Sequence, residues 1–266
     1  MKFKKGKVYE ALFLSDVHYL VYKKIKNHHH QDLFRALNSL RKRGVQFRSL
    51  YLVGDILENW YFDSNARLKT SQKKFNKLFD RLDAVCMPGA LKYFIVGNHD
   101  TTSFSMKLSP DIARFLEERN YRIVERFESS EMVVIHGHQG QYNQLTWALD
   151  ILVVRAFYWI ASVIPDFFKK AESFYNRHLN GRDPTNYEER LKYYGRLNRI
   201  TNQQDRVLIS GHTHQFLHMP EIGVINTGDW VHSRTLLIQN GRNLIGLRMK
   251  TRKKWKKEFV HPLSRQ

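Results

Sequence analysis

Residues 91–100 read LKYFIVGNHD, an apolar run that closes on a glycine and three polar side chains. The apolar part, Tyr93–Val96, has the composition of a buried β-strand. Gly97 suits a tight turn directly after that strand. The three polar residues therefore follow the carboxyl end of a strand, where open α/β sheets place their ligand sites. The stretch predicts an α/β sheet with a functional site along one edge.

The same order of apolar strand and polar turn occurs at four other places along the chain. The polar residues of the five motifs are Asp16 and His18 (SDVH), Asp55 (GDILE), Asn98, His99 and Asp100 (GNHD), His136 (HGH), and His212 and His214 (GHTH). Each motif alone is common, but six of the 13 histidines fall in these motifs, all at predicted strand ends. Imidazoles and carboxylates bind Mn, Fe or Zn. A shared carboxylate can bridge two ions roughly 3.5–4 Å apart, which is the two-metal geometry of phosphoryl chemistry.

Helical patterns separate the first strands, and antiparallel strands follow them. This order predicts a layered α/β core formed by residues 1–140 and 201–249. Residues 141–200 break the order with helical patterns alone, so we expect an inserted helical subdomain, a lid, in that range. Residues 250–266 begin with six basic residues in eight, and we expect a basic C-terminal tail that is solvated or disordered.

The composition favours an acidic partner. Lysine and arginine number 44 against 25 acidic residues, for a formal net charge of +19. Nucleic acid, an anionic lipid surface or a phosphorylated substrate would each suit this charge, although a lysine-rich lineage would also produce it.

The single cysteine, Cys86, excludes an intrachain disulfide and fits a reducing cytosol. The first apolar run is short and contains Glu10 and Asp16, so we expect no signal peptide and a cytoplasmic protein.

The most apolar stretch, residues 145–170, reads LTWALDILVVRAFYWIASVIPDFFKK. Asp150 and Arg155 interrupt it and Pro165 closes it, so it does not predict a membrane span. On a helical wheel it carries two apolar arcs, whereas packing against one core needs only one. The other arc is predicted to face a neighbouring helix, lipid or an apolar ligand. The candidate lid residues of the first arc are Trp147, Ile151, Val154 and Tyr158.

In their order and spacing the five motifs resemble those of the calcineurin-like metallophosphoesterases, over about residues 8–140 and 205–249. The resemblance implies a four-layer α/β/β/α sandwich with two divalent metal ions. It implies that Asp16, His18 and His214 hold one ion, that Asn98, His136 and His212 hold the other, and that Asp55 bridges them. It further implies attack on phosphorus by a metal-bridging hydroxide. His99, helped by Asp100, would face the substrate and protonate the leaving group.

Two further stretches, GDILENW with Glu58 and NTGDWV, resemble one branch of that family, the UDP-2,3-diacylglucosamine pyrophosphatases of lipid A synthesis. This resemblance implies hydrolysis of the pyrophosphate of a UDP-linked acylated sugar, manganese as the metal, and attachment to the inner membrane surface. The branch has Arg at the position of His99 and Asp at the position of His138. We assign no metal role to His138.

Two other functions remain open at this point. His99 and the charge of +19 also suit a soluble phosphodiesterase or nuclease of the same superfamily, although no nucleic-acid-binding module is recognisable. A non-catalytic protein that binds through its basic surface is the third possibility, and the intact set of metal-ligand residues argues against it. The oligomeric state does not follow from the sequence.

Overall fold

The computed structural model describes residues 2–19, 29–59, 65–101, 107–140, 186–202, 205–251 and 254–263. These residues form twelve strands in two sheets, and four α-helices. The helices are α1 (His29–Lys42), α2 (Asn65–Asp83), α3 (Pro110–Glu118) and α4 (Tyr187–Thr201). Ser109 begins α3 as its N-cap, because its side chain accepts a hydrogen bond from the backbone N–H of Ile112.

Seven strands form the larger sheet. They are β1 (Val8–Leu14), β2 (Gln46–Val53), β3 (Cys86–Ile95), β4 (Tyr121–Val124), β10 (Thr235–Asn240), β11 (Asn243–Thr251) and β12 (Lys254–Pro262). Their order across the sheet is β12-β11-β10-β1-β2-β3-β4. Strands β1 to β4 are parallel, with helices as crossovers, and β10 to β12 are antiparallel.

Five short strands form the second sheet. They are β5 (Arg126–Glu128), β6 (Met132–Ile135), β7 (Val207–Ser210), β8 (Phe216–Met219) and β9 (Val224–Thr227). The order is β5-β6-β7-β9-β8, and the three central strands are parallel and fully buried. Burial on both faces explains why β6 and the first three residues of β7 read as apolar runs.

Alternating side chains of β1 show how the layers stack. Leu12 and Leu14 belong to the core between the larger sheet and helices α1 to α3. Ala11 and Phe13 point to the opposite face, into the core between the two sheets. A third core joins the smaller sheet to α4. The layers are therefore helix, sheet, sheet and helix, which confirms the predicted α/β/β/α sandwich.

The expected basic tail is instead an edge strand. β12 pairs with β11 along its length, and Trp255 is 6% exposed, packed edge-on against Phe3 at 5.9 Å between ring centroids. Leu263 is also buried. Lysines at exposed positions of an edge strand discourage pairing with other chains, which is a structural use for this basic run. The prediction of a solvated or disordered tail was wrong. It weighed the many lysines of this run and overlooked Trp255, the side chain among them that is buried.

Replacing Trp255 with alanine should lower the free energy of unfolding by about 3–5 kcal/mol, the usual cost of truncating a buried tryptophan. Lys254→Ala is the matched control, because Lys254 is exposed on the same strand. We expect the control to change stability by less than about 0.5 kcal/mol. Urea denaturation of the two variants measures the difference. An unchanged midpoint for Trp255→Ala would show that this segment does not contribute to the folded core.

Helix α4 falls inside the range 141–200 that was predicted as an insertion, but it forms the outer layer of the core. Tyr193, Tyr194 and Leu197 are buried against the smaller sheet. Tyr187, at the start of the same helix, is 56% exposed. The predicted boundary at residue 200 is therefore corrected: residues 187–201 belong to the core, and the rest of the predicted insertion lies outside the described residues.

The candidate lid residues Trp147, Ile151, Val154 and Tyr158 lie outside the described residues. Within the part of the chain that the structure describes, no helix combines the length and the apolar character needed to cross a membrane.

Candidate metal centre

The five motif loops meet at one edge of the two sheets. Three of them follow β1, β2 and β3 of the larger sheet, and two follow β6 and β7 of the smaller sheet. The loops interlock through backbone hydrogen bonds, from Asp16 N–H to Gly54 O at 3.0 Å and from His18 N–H to Asp55 O at 2.9 Å. The backbone N–H of His212 also donates to the carboxylate of Asp16, at 3.0 Å. Residues that are far apart in the sequence thus form one site.

One cluster of ligand atoms consists of Asp16, His18 and His214, whose donor atoms all lie within 4.8 Å of one another. The Nε2 atoms of His18 and His214 are 3.2 Å apart, and Oδ1 of Asp16 is 3.3 Å from Nε2 of His214. Two imidazole lone pairs at this distance repel unless a proton or a cation lies between them. Ligands about 2.0–2.2 Å from a shared ion would have such separations.

A second cluster consists of Asp55, His136 and His212. Nε2 of His136 is 3.1 Å from Oδ1 of Asn98 and 3.1 Å from Oδ2 of Asp55. The same Oδ2 atom is 3.9 Å from Nε2 of His18, in the first cluster. Asp55 therefore lies between the clusters, where a bridging carboxylate would have to be.

Hydrogen bonds at the far side of the rings direct the histidines toward the clusters. Nδ1 of His136 lies 3.0 Å from the carbonyl oxygen of Val53, which can only accept, so Nδ1 carries the proton. Nδ1 of His18 lies 2.8 Å from the carboxylate of Glu58. A proton held on Nδ1 leaves Nε2 with a free lone pair, which is the arrangement that metal-binding histidines use. The donor set thus fits two divalent cations.

Backbone strain is concentrated in the same loops. Of the eight non-glycine residues with positive φ in the described part of the chain, five are predicted metal ligands: Asp16, His18, Asp55, His212 and His214. Left-handed backbone is uncommon for residues with a side chain and collects at functional sites. The concentration of left-handed residues in these loops indicates a functional site rather than ordinary turns.

The sequence model of the calcineurin-like phosphoesterases matches residues 10–216. The chain belongs to this family. Its members hydrolyse phosphoesters with two divalent metal ions, so the protein is a dinuclear-metal hydrolase.

Three known proteins are similar to this chain to different extents. The chain is 24% identical over 226 residues to a UDP-2,3-diacylglucosamine hydrolase from Wigglesworthia glossinidia brevipalpis, covering 81% of this chain and 82% of that protein. A dimetal phosphatase from Danio rerio superposes with a TM-score of 0.47 and 14% identity, over 96% of this chain and 99% of that one. A putative 5'-nucleotidase from Staphylococcus aureus gives 0.41 and 13%, over 97% of this chain and 55% of that one.

In this phosphoesterase the carboxylate beside His99 is Glu58. In the sequence, the only signal for Glu58 was its place in the stretch GDILENW. Nδ1 of His99 lies 2.9 Å from Oε1 of Glu58, whose other oxygen contacts His18. Asp100 was expected to assist His99, but its carboxylate accepts hydrogen bonds from the backbone N–H groups of Asp55, Leu57 and Gly97. Asp100 therefore holds the loops together, and the expectation for it is corrected.

Two other groups border the site. Asp229 and His232 form a cluster with His214, and the Asp229 carboxylate accepts from the backbone N–H groups of His232 and Ser233. The stretch NTGDWV carried the only sequence signal for Asp229. The ring of His138 lies beside His136, at 5.6 Å between centroids, and belongs to none of the ligand clusters found among the described residues. Burial lowers the pKa of His138 to about 3, so its ring is neutral.

Burial and the proximity of other carboxylates oppose the ionisation of two carboxyl groups in the site. Burial, with the nearby charge of Asp55, raises the pKa of Asp16 and of Asp100 well above the usual range for aspartate. Burial also opposes ionisation of Asp55, but in the absence of metal ions the positive charges of protonated His136 and His99 hold its pKa well below the ordinary value. Bound divalent cations would allow all three carboxylates to ionise together, which is the usual effect of an ion on neighbouring groups.

A methyl group at Gly97 should disrupt the centre. A Cβ atom there would lie 2.3 Å from the backbone nitrogen of Asp55 and 2.3 Å from its Oδ1. We expect Gly97→Ala to lower activity on the order of 100-fold, the effect of misplacing a reacting group by about 1 Å, and to lower metal content. Gly195→Ala in α4 is the control, because nothing lies within 4 Å of its Cβ position. Full activity and two ions per chain in Gly97→Ala would contradict this description of the loop.

Proposed function

We propose that the protein hydrolyses the pyrophosphate bond of a nucleotide-linked, acylated sugar. The ligand residues would be Asp16, His18 and His214 for one ion and Asn98, His136 and His212 for the other, with Asp55 shared. The observation that carries this assignment is the position of Asp55 Oδ2, 3.1 Å from His136 Nε2 and 3.9 Å from His18 Nε2. A carboxylate placed between two imidazole clusters is the arrangement that two-metal phosphoryl chemistry needs.

Two divalent cations bound there would offset the charge on the phosphoryl oxygens and lower the pKa of a water molecule. The protein's own contribution is to orient the substrate and move a proton. Nδ1 of His99 faces Glu58, and its Nε2 is the ring atom that we propose contacts a phosphoryl oxygen or donates to the leaving oxygen. Glu58 fixes that ring and His18 at the same time, so one carboxylate aligns a proton donor with a metal ligand.

Three observations support the substrate class. The relative from Wigglesworthia glossinidia brevipalpis is named for a UDP-linked diacyl sugar, and the similarity covers most of both chains. The stretch GDILENW carries Glu58, the residue beside His99. The net charge of +19 favours a phosphorylated substrate. We propose manganese as the metal, because carboxylate and imidazole ligands without thiolates suit it, although Fe or Zn would also fit.

The decisive experiment measures UMP release from UDP-2,3-diacylglucosamine by the metal-free protein reloaded with Mn²⁺, with the metal-free protein as control. Manganese-dependent release of UMP is the expected result. Fully loaded protein that leaves this substrate intact would overturn the proposed substrate class.

A soluble phosphodiesterase or nuclease is the second candidate, and it rests on His99. The lipid A branch has arginine at this position, whereas the wider family has histidine as here. The same manganese-loaded preparation should therefore be tested on single-stranded DNA and on bis-p-nitrophenyl phosphate. Cleavage of DNA without turnover of the diacyl sugar would establish the second candidate.

We further propose that the protein binds peripherally to an anionic membrane surface. Basic residues are attracted to anionic lipid, and salt screens the attraction over a Debye length of about 8 Å at physiological ionic strength. Sedimentation with vesicles containing phosphatidylglycerol should show binding at low salt that declines at high salt. Absent or salt-insensitive binding would contradict this proposal.

A further inference from the structure

Helix α4 is hydrogen-bonded to the loop that carries His136. The hydroxyl of Tyr193 donates to the carbonyl oxygen of Gly137, the residue after His136, at 2.7 Å. Nε of Arg196 donates to the carbonyl oxygen of Gly140 at 3.1 Å. Gly137 has a φ of 120°, a conformation that favours glycine. The loop therefore leaves the sheet in an unusual conformation, and α4 holds it from outside.

The next residue of α4 bonds to the loop that carries His212. The hydroxyl of Tyr194, which is fully buried, lies 3.3 Å from Oγ1 of Thr213 and accepts from Nδ2 of Asn226 at 3.0 Å. Nδ2 of Asn226 also lies 2.6 Å from the carbonyl oxygen of Gly211. Gly211 and Thr213 are the two neighbours of His212 in the chain, so the network holds that loop on both sides of the ligand.

These contacts concern the same cluster. His136 and His212, together with Asp55, form the second group of ligand atoms. His212 itself has a φ of 73°, a left-handed conformation that costs free energy for a residue with a side chain. Contacts on both sides of His212 would keep its backbone in that conformation. Two adjacent tyrosines of one helix thus reach the loops of two different ligands of that cluster.

We propose that Tyr193 and Tyr194 are positioning residues that set the geometry of the cation site formed by Asp55, His136 and His212. The inference rests on the metal ligands proposed above. The rings of both tyrosines pack in the core between α4 and the smaller sheet, whereas the hydroxyls reach the ligand loops. The ring and the hydroxyl therefore have separable roles, and a substitution of tyrosine by phenylalanine removes only the hydroxyl.

The test compares Tyr193→Phe and Tyr194→Phe with wild type by calorimetric titration of the metal-free protein with Mn²⁺. We expect each variant to bind one of the two ions about 10–100-fold more weakly, the usual effect of losing a partner behind a metal ligand. Visible absorption of the Co²⁺-loaded protein should change as well, because it reports ligand geometry. Tyr187→Phe is the matched control, because the Tyr187 hydroxyl, on the same helix, bonds Glu221 at 2.9 Å and is remote from both loops.

The outcomes separate the two proposals. Wild-type affinities for both ions and an unchanged Co²⁺ spectrum in both variants would overturn the positioning role. A variant that unfolds more easily when metal-free but binds both ions normally would also overturn it, since the hydroxyls would then serve stability alone. Wild-type protein that binds fewer than two ions would instead overturn the ligand assignment on which the inference rests.

Discussion

Replacing Asp55 with asparagine should reduce hydrolysis by at least about 10³-fold, because several kcal/mol of transition-state charge stabilisation depend on two cations held side by side. Oδ2 of Asp55 is the atom that faces both clusters. The amide keeps the shape of the side chain and can still accept a hydrogen bond from the backbone N–H of His99, which Oδ1 now accepts at 2.8 Å. The loss would therefore report the missing charge rather than a displaced loop.

Metal content measured by plasma mass spectrometry, together with kcat, checks this prediction. We expect Asp55→Asn to retain fewer than two ions per chain after dialysis. Asp80→Asn is the control, since the side chain of Asp80 is 61% exposed and pairs with Arg119. An Asp55→Asn protein with two ions and normal turnover would show that the shared carboxylate is not needed.

Replacing His99 with alanine should lower kcat by about 10²–10⁴-fold, the usual contribution of a positioned proton donor, while both ions remain bound. The ring contacts Glu58, and His99 is a member of neither of the two clusters proposed to hold the ions. Glu58→Gln should cost less, about 10–100-fold, because the amide oxygen could still accept a hydrogen bond from both histidines but would carry no charge.

Leaving groups of different basicity separate proton donation from simple charge stabilisation. A p-nitrophenolate leaves without needing a proton, so His99→Ala should lose much less activity on p-nitrophenyl esters than on alkyl phosphoesters. An equal loss on both substrates would assign His99 to phosphoryl-oxygen contact alone. A fall in metal content in His99→Ala would make the residue a ligand rather than a proton donor.

Local patterns predicted a layered α/β core and the meeting of the five motifs, whereas the arrangement in four layers was an expectation from the family resemblance. A buried parallel strand is a short apolar run, and a strand end followed by a polar turn needs no knowledge of the rest of the chain. His18 and His214 are 196 positions apart, yet each follows its own strand, so placing the strands side by side brings the rings together.

The errors have a different origin, because they concern contacts between segments. The carboxylate of Asp100 is adjacent to His99 in sequence but turns toward three backbone N–H groups of its own and a neighbouring loop, while Glu58 crosses to His99. The sequence pattern of α4 also leaves open which of its faces is buried. Two stripes of apolar residues share Tyr194, and only the position of the smaller sheet decides that Tyr193 and Leu197, rather than Tyr187, are buried.

Five of the proposed ligand positions combine a side chain with left-handed backbone, and each such residue costs on the order of 1–3 kcal/mol of conformational free energy. The folded core must supply that free energy when no ion is present, whereas bound ions supply part of it themselves. An ion at a hundredfold excess over its Kd adds about 2.7 kcal/mol of stability to the folded chain. The melting temperature of this protein should therefore rise with the concentration of free metal around it, so that in a metal-poor cell the amount of folded enzyme, and not only its activity, would follow the metal supply.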